Sequence, residues 1–171
     1  CFIIDGDSEE TIRDFLLICK GISPNKGSVN SVYVFSTDEI IQLISSVCGW
    51  RGKLDENFKN FYKDLSPVLN NTPWGNTSLQ MIKAKMSEIH NGIILIKINE
   101  KDDIKEYANY FNAKTVVIAN DDKIYDSYDI IVNNAQSLSD LKCQAEIFML
   151  EAMSNKINLM DGKETSGKFA P

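Results

Sequence analysis

Short apolar runs alternate along the chain with longer segments in which apolar residues recur every three or four positions. The short runs predict five strands, at residues 1–5, 32–35, 92–98, 114–119 and 128–132. The longer segments predict helices at residues 12–19, 40–47, 54–65, 77–89, 102–111 and 138–154. Strands that alternate with helices pair in parallel through crossover connections. The pattern therefore predicts an α/β protein, a three-layer α/β/α sandwich around a five-stranded parallel sheet.

The run at residues 92–98 is almost continuously apolar, as in strands covered on both faces, so we expect it to be the central strand. Turn formers at residues 66–67 and 70–75 predict a break between the third and fourth helices. Helix ends are predicted from polar residues at capping positions. The predicted caps are Asp7 with Glu10, Ser36 with Glu39, Thr77 with Gln80, Ser137 with Asp140, and His90 at a C-terminus.

Length and composition indicate one globular domain at residues 1–154, followed by a polar tail at residues 155–171 that is expected to stay outside the core. The net charge of −6 argues against nucleic acid and against anionic membrane surfaces as partners. No apolar stretch is long enough to span a bilayer, and no basic segment precedes an apolar one. The expectation is a soluble, cytoplasmic protein.

The cysteines and the single histidine are too scattered to predict a metal site. Zinc sites need clustered ligands, and no Cys-x-x-Cys spacing occurs among the four cysteines. Cys19 and Cys48 lie among aliphatic residues at helical spacing, so both are predicted to be buried thiols. With one histidine, His90, a Ser-His-Asp arrangement is also hard to assemble, and no catalytic residue is assigned.

The connection from the first strand to the first helix occupies the position of a phosphate-binding loop in P-loop kinases. Its residues have the wrong charge for that role, because Asp5, Asp7, Glu9 and Glu10 are acidic and no lysine is present. A unit charge about 4 Å from a charged phosphate oxygen interacts with it by roughly 4 kcal/mol at an effective dielectric near 20. The alternative is purely structural, since acidic residues in a first turn suit the helix dipole.

Several motifs, taken in order, resemble the deoxynucleoside monophosphate kinase-like P-loop proteins of bacteria and their phages. The similarity covers roughly residues 2–150, and the motifs are Ser36-Thr37, Gly49-Trp50-x-Gly52-Lys53-x-Asp55-Glu56, Phe61-x-x-Asp64-Leu65, residues 96–104, residues 114–118, and residues 128–134 followed by Ser137-Leu138-x-Asp140-Leu141. The resemblance implies an adenylate-kinase-like fold, ATP as phosphoryl donor, a deoxynucleoside monophosphate as acceptor, and magnesium.

Three cationic elements of the family are missing from this chain. Where the family has Gly-Lys-Asp-Thr, the chain has Ser8-Glu9-Glu10-Thr11. The arginine expected after the third strand is replaced by Asn99-Glu100-Lys101, and in place of a basic lid residues 120–127 contain one cation, Lys123. Phosphoryl transfer depends on positive charge around the transferred group. If each element contributes about 3 kcal/mol, their joint loss slows transfer by some six orders of magnitude.

The acceptor side of the family's site has more residues in place. Trp50, Arg51, Lys53, Trp74 and Tyr62 lie where the resemblance puts the monophosphate, and aromatic rings with cations can stack a base and hold a phosphate. The alternative is that the two tryptophans fill a seam between helices. The complete set of candidate nucleotide-binding residues is Gly6, Ser8, Thr11, Asp38, Trp50, Arg51, Lys53, Trp74 and Asn99.

These observations lead to three hypotheses. The first is a degenerate nucleoside monophosphate kinase-like protein, a pseudokinase that binds a nucleotide weakly, or binds a protein partner or a second copy of itself. The second is an active kinase, for which ATP and magnesium would be cofactors. The third is a structural or assembly protein that reuses the fold.

Overall fold

The structure is a computed structural model that describes residues 1–22, 31–53, 55–73, 75–98, 104–119, 127–133 and 137–164, with residues 70 and 155–164 described by their backbone alone. Its five strands form one all-parallel sheet in the order β2-β3-β1-β4-β5, flanked by six helices. The strands are β1 (Phe2–Gly6), β2 (Ser31–Ser36), β3 (Gly92–Lys97), β4 (Lys114–Ala119) and β5 (Ile130–Asn133). The α/β prediction is confirmed, and the arrangement is consistent with a three-layer α/β/α P-loop-like fold.

The strand predicted to be central is not the middle one. β3 is an inner strand with β2 and β1 on its two sides, whereas β1 occupies the middle of the order. Ile3 of β1 pairs with Ile96 of β3, and both side chains are fully buried. The prediction was wrong because a continuous apolar run indicates burial on both faces, and every inner strand of such a sheet is buried in that way.

Six helices connect or follow the strands in the described part of the chain. They are α1 (Glu9–Gly21), α2 (Thr37–Val47), α3 (Glu56–Asn70), α4 (Thr77–Ser87), α5 (Ile104–Phe111) and α6 (Leu138–Glu164). Four of them, α1, α2, α3 and α6, are longer than predicted, and the largest extensions at a C-terminal end are those of α3 and α6. α3 continues through Pro67, where a turn was expected, and the Asn71 N–H donates to the Pro67 carbonyl at 3.2 Å. α6 continues for ten residues beyond the predicted end at Ser154, so the first part of the polar tail is helical.

Helix caps were predicted less accurately than the helices. Ser8, not Asp7, is the N-cap of α1, and Asn76, not Thr77, is the N-cap of α4. Ser36 occupies the N-cap position of α2 but its side chain makes no capping hydrogen bond, because this residue also ends β2. α4 ends at Ser87 and its C-cap is Glu88, so the exposed His90 is not its C-terminal cap. The pair Ser137 and Asp140 does form, with the Asp140 N–H donating to Ser137 Oγ at 3.1 Å.

The chain divides into two compact units. The first consists of Cys1–Ile4, Val34–His90 and Ile94–Thr115. Its core is formed by buried residues of β1, β3 and the helices α2, α4 and α5, and α3 packs against α4. The core residues are Ile3, Ile40, Ile44, Leu79, Ile82, Ile96, Ile98, Tyr107 and Phe111.

The second unit consists of Asp5–Tyr33, Asn91–Ile93 and Val116–Pro171. Helix α1 packs on α6, where the rings of Phe15 and Phe148 lie 5.5 Å apart, and α6 also packs on β5. Val117 of β4 pairs with Ile131 of β5 in a parallel ladder. The thiol-bearing Cys19 is fully buried here, as predicted.

Cys48 is exposed, contrary to prediction, because it is the C-cap of α2 and lies past the last buried turn of that helix. Among the described residues, no helix is both long enough and apolar enough to cross a membrane.

Candidate functional site

The turn between β1 and α1 is short. β1 ends at Gly6 and α1 begins at Glu9, which leaves Asp7 and Ser8 as the whole connection. In the P-loop motif, six residues run from the first glycine to the glycine that precedes the lysine. Their backbone N–H groups wrap the phosphates. Matching Ser8-Glu9 to the motif's Gly-Lys places the motif's first residue at Ile3, the second residue of β1. The chain that should wrap a phosphate is therefore mostly extended strand.

Backbone N–H groups of this turn are also engaged inside the protein. The Gly6 N–H donates to Oδ1 of Asp5 at 2.8 Å, and the Asp7 N–H donates to the Ile118 carbonyl at 3.4 Å. The Thr11 N–H donates to Oγ of Ser8 at 3.3 Å. A phosphate bound here would have to displace these bonds, so the turn does not fit ATP as a P-loop would.

Gly6 and Asp5 have structural roles that explain why the turn takes this form. A Cβ on Gly6 would lie 2.9 Å from the Ile118 carbonyl oxygen, so the absence of a side chain lets β1 approach β4 closely. The second carboxylate oxygen of Asp5 accepts a hydrogen bond of 2.5 Å from the Tyr128 hydroxyl. The sequence alone does not indicate that Tyr128 contacts this turn, because Tyr128 and Asp5 are 123 positions apart.

The charge of the turn agrees with its geometry. Asp7, Glu9 and Glu10 are exposed and Asp5 is half-buried, so the start of α1 presents carboxylates to solvent. Such residues stabilise a helix N-terminus and repel a polyphosphate. Of the predicted nucleotide-binding residues, the structure places Gly6, Ser8 and Thr11 at this turn, where the side chain of Ser8 caps α1 by accepting from the Thr11 N–H.

A second polar group lies where β3 ends and α2 begins. Nζ of Lys97 lies 3.1 Å from Oδ2 of Asp38, and 15% of the lysine side chain is exposed against 37% of the aspartate. The carboxyl ends of parallel strands are the edge at which ligands bind in open α/β sheets. Lys97 was not among the candidate residues, although a single lysine in the apolar run Ile93-Ile94-Leu95-Ile96-Lys97-Ile98 was a visible signal.

Trp50 belongs to an aromatic cluster that joins the end of α2 to α3. Its ring stacks on Phe61 at 5.1 Å and tilts against Phe58 at 5.5 Å. A Cβ on Gly52 would lie 2.9 Å from the indole, so the chain folds back closely over the ring. The indole Nε1 is buried and has no hydrogen-bond partner among the residues that the structure describes. These contacts are those of a packing residue, and they support the alternative of a seam between helices.

Arg51 and Lys53 follow the same segment. Nη1 of Arg51 donates to the Ser46 carbonyl at 2.7 Å and to the Trp50 carbonyl at 3.2 Å, so the guanidinium satisfies the C-terminus of α2. Lys53 is exposed. Tyr62 extends the cluster, with its ring 6.5 Å from that of Phe58.

Asp38 and Trp50 lie at opposite ends of α2. The helix has eleven residues, which span about 16 Å at 1.5 Å per residue. Asp38 therefore does not share a phosphate-sized site with Trp50 and Arg51. The remaining two candidates, Trp74 and Asn99, lie outside the described residues.

Within the described ranges, no group of three or more His, Cys, Asp or Glu side chains is arranged to hold a metal ion. The buried Cys19 has its pKa raised to about 12 by desolvation, with its own backbone hydrogen bond acting weakly in the opposite direction. A thiol so far from ionisation is a poor nucleophile at neutral pH.

No family model matches the chain, and comparison with curated proteins returns no match. The basis for assigning a function is therefore the fold together with the contacts of the β1–α1 turn and of the aromatic cluster around Trp50.

Proposed function

We propose that this chain is a non-catalytic protein with a nucleoside monophosphate kinase-like fold and that it acts by binding a protein partner. The observation that carries the proposal is the β1–α1 turn, in which two residues replace a phosphate-wrapping loop. The N–H groups of Gly6, Asp7 and Thr11 already have acceptors inside the protein.

Charge supports the same conclusion. Glu9 stands where the resemblance places the lysine of the phosphate loop, and Asp7 and Glu10 flank it on the surface. Exchanging an attractive charge for a repulsive one near a phosphate costs several kcal/mol at an effective dielectric near 20. ATP is therefore expected to bind more weakly than about 1 mM, which corresponds to about 4 kcal/mol of binding free energy.

A nucleotide is the less favoured ligand, because the residues expected to hold the acceptor have other roles. Trp50 packs on Phe58 and Phe61, and Arg51 caps α2. Asp38 is paired with Lys97. A protein partner needs none of these groups, so binding of a protein agrees best with the contacts present.

The experiment is calorimetric titration with ATP and Mg²⁺ of the wild-type chain, of Glu9→Lys and of Glu10→Lys as a matched control one position away. We expect no saturable heat with any of the three, because the turn lacks the shape as well as the charge of a phosphate loop. Micromolar binding by the wild type would overturn the proposal. Binding gained by Glu9→Lys alone would show that the loop shape persists and that only its charge was lost.

A further inference from the structure

Helix α6 is apolar on two opposite faces. Its inner face carries the buried residues Leu141, Ala145, Phe148, Met149 and Ala152. Its outer face carries Cys143, Ile147 and Leu150, which we call the α6 outer stripe. At 100° per residue these three side chains leave the helix within about 60° of one another, on the side away from the buried face. All three are exposed, Ile147 by 45% and Leu150 by 65%.

The outer stripe has the spacing of a helix-docking surface. A helix that covers a protein core normally has a polar outer face, and an isolated exposed leucine needs no explanation. Here the apolar residues recur at intervals of four and three, which matches the anchor spacing by which one amphipathic helix is laid against another surface. The stripe is about two turns long, so a single helix of the partner is sufficient to cover it.

Charge indicates which kind of helix fits. Over residues 138–154 the outer side of α6 is flanked by Asp140, Glu146 and Glu151, with Lys142 as the one cation, and all four are exposed. A second copy of α6 would bring two such acidic borders together, where like charges repel. A helix with lysine or arginine beside its apolar stripe would instead form ion pairs along the rim of the contact.

We propose that the α6 outer stripe docks a basic amphipathic helix of a partner protein. The proposal deepens the proposed function, because it names the surface and the chemistry of the partner. It depends on that function only in requiring that the chain bind a protein. The ATP titration tests the absence of nucleotide binding, and its result is independent of any change on α6.

The probe is a synthetic amphipathic peptide of about 14 residues, made of leucine at three-four spacing and lysine elsewhere, carrying a fluorophore for anisotropy. A second peptide has the same leucines with glutamate in place of lysine. The variants are Ile147→Ser and Leu150→Ser in the stripe. Leu138→Ser is the matched control, because Leu138 is 66% exposed on the same helix but lies off the stripe. Circular dichroism verifies that each variant keeps its helix content.

We expect saturable binding of the lysine peptide that weakens about tenfold in each stripe variant and stays within about twofold in Leu138→Ser. Binding should also weaken as salt is added, and the glutamate peptide should not bind. The proposal is overturned if the lysine peptide does not bind, if all three variants behave alike, or if both peptides bind equally. It is also overturned if the chain dimerises in sedimentation and Leu150→Ser abolishes the dimer, since a second copy would then occupy the stripe.

Discussion

The Lys97 ammonium and the Asp38 carboxylate form a 3.1 Å ion pair that joins the carboxyl end of β3 to the first turn of α2. The pair is partly shielded from water, with Lys97 exposed by 15%. Asp38 is also one of the two acidic residues in the first turn of α2, where the helix dipole attracts a negative charge. The pair lies at the edge of the sheet where open α/β folds bind ligands. There each residue neutralises the charge of the other, so neither the lysine nor the aspartate presents its full charge to a ligand.

The first prediction is that this pair stabilises the fold more than an exposed pair of equal length. Lys59 and Glu56 provide the control, at 3.0 Å with side chains exposed by 74% and 77%. Double-mutant cycles with Lys97→Met and Asp38→Asn, and with Lys59→Met and Glu56→Gln, should give coupling energies of about 1–1.5 and about 0.3 kcal/mol. Urea unfolding measures both. Equal coupling energies would show that shielding has no effect at this site.

The second prediction concerns the close approach of β1 to β4 at Gly6. The substitution Gly6→Ala should destabilise the fold by about 1–3 kcal/mol, since its Cβ would lie 2.9 Å from a backbone oxygen that can move only with its strand. Gly21→Ala is the matched control, because a Cβ there meets nothing within 4 Å. The control should be neutral or stabilising by up to about 0.5 kcal/mol. Chemical denaturation of the two variants compares them, and similar losses would contradict the close packing at Gly6.

The third prediction separates packing from ligand binding at Trp50. Trp50→Ala should destabilise the fold by about 2–3 kcal/mol, below the range for fully buried tryptophan because this residue is not fully buried. Lys53→Ala, on the exposed side of the same segment, should change stability by less than about 0.5 kcal/mol. Deoxynucleoside monophosphates should quench tryptophan fluorescence without saturation. If one nucleotide quenches the fluorescence saturably and Lys53→Ala weakens that quenching, Trp50 belongs to a nucleotide-binding pocket and this prediction is wrong.

The fourth prediction concerns the raised pKa of Cys19. The folded-state pKa of about 12 exceeds the ordinary value of 9.0, so the folded protein holds this proton more tightly than the unfolded chain. The stabilising contribution is complete below pH 9 and is lost as the pH rises from 9 towards 12. Between pH 8 and pH 10 the free energy of unfolding should fall by about 1 kcal/mol more in the wild type than in Cys19→Ala. Equal falls in the two proteins would show that the Cys19 proton is not held more tightly in the folded state.

Reaction with a thiol reagent measures the burial of Cys19 independently of its pKa. At pH 8 the native protein should react at Cys1, Cys48 and Cys143, which are exposed, and Cys19 should react only after unfolding. Rapid modification of a fourth thiol in the native state would place Cys19 near the surface.

The kind and order of the elements could be predicted because they depend on residues close together in the chain. The run Lys114-Thr115-Val116-Val117-Ile118-Ala119 is β4 with the predicted bounds, since β-branched apolar residues bounded by polar ones favour a strand wherever they pack. Ser137 and Asp140 were predicted to cap a helix, and they do so through contacts three residues apart. Details of one residue, such as Ser8 in place of Asp7 as a cap, depend on where the preceding strand ends.

The geometry of the candidate site could not be predicted from the sequence, because it depends on contacts between distant residues. The sequence alone shows that the β1–α1 turn is acidic, but not that its N–H groups have acceptors, one of which is the carbonyl of Ile118. Likewise, Trp50 and Asp38 were both candidate nucleotide-binding residues, but the length of α2 separates them.

Local propensity and hydrophobic period thus determine, from the sequence alone, that this chain is an α/β protein and in which order its strands and helices follow one another. The position of β1 in the middle of the sheet, the bond from Tyr128 to Asp5 across 123 residues, and the pair of Lys97 with Asp38 across 59 are decided only by the tertiary structure. The physical reason is that hydrophobic periodicity indicates whether a side chain is buried, but it does not indicate which residues that side chain contacts. The contact partners depend on which strands lie side by side in the sheet, and that spatial order is a property of the whole chain.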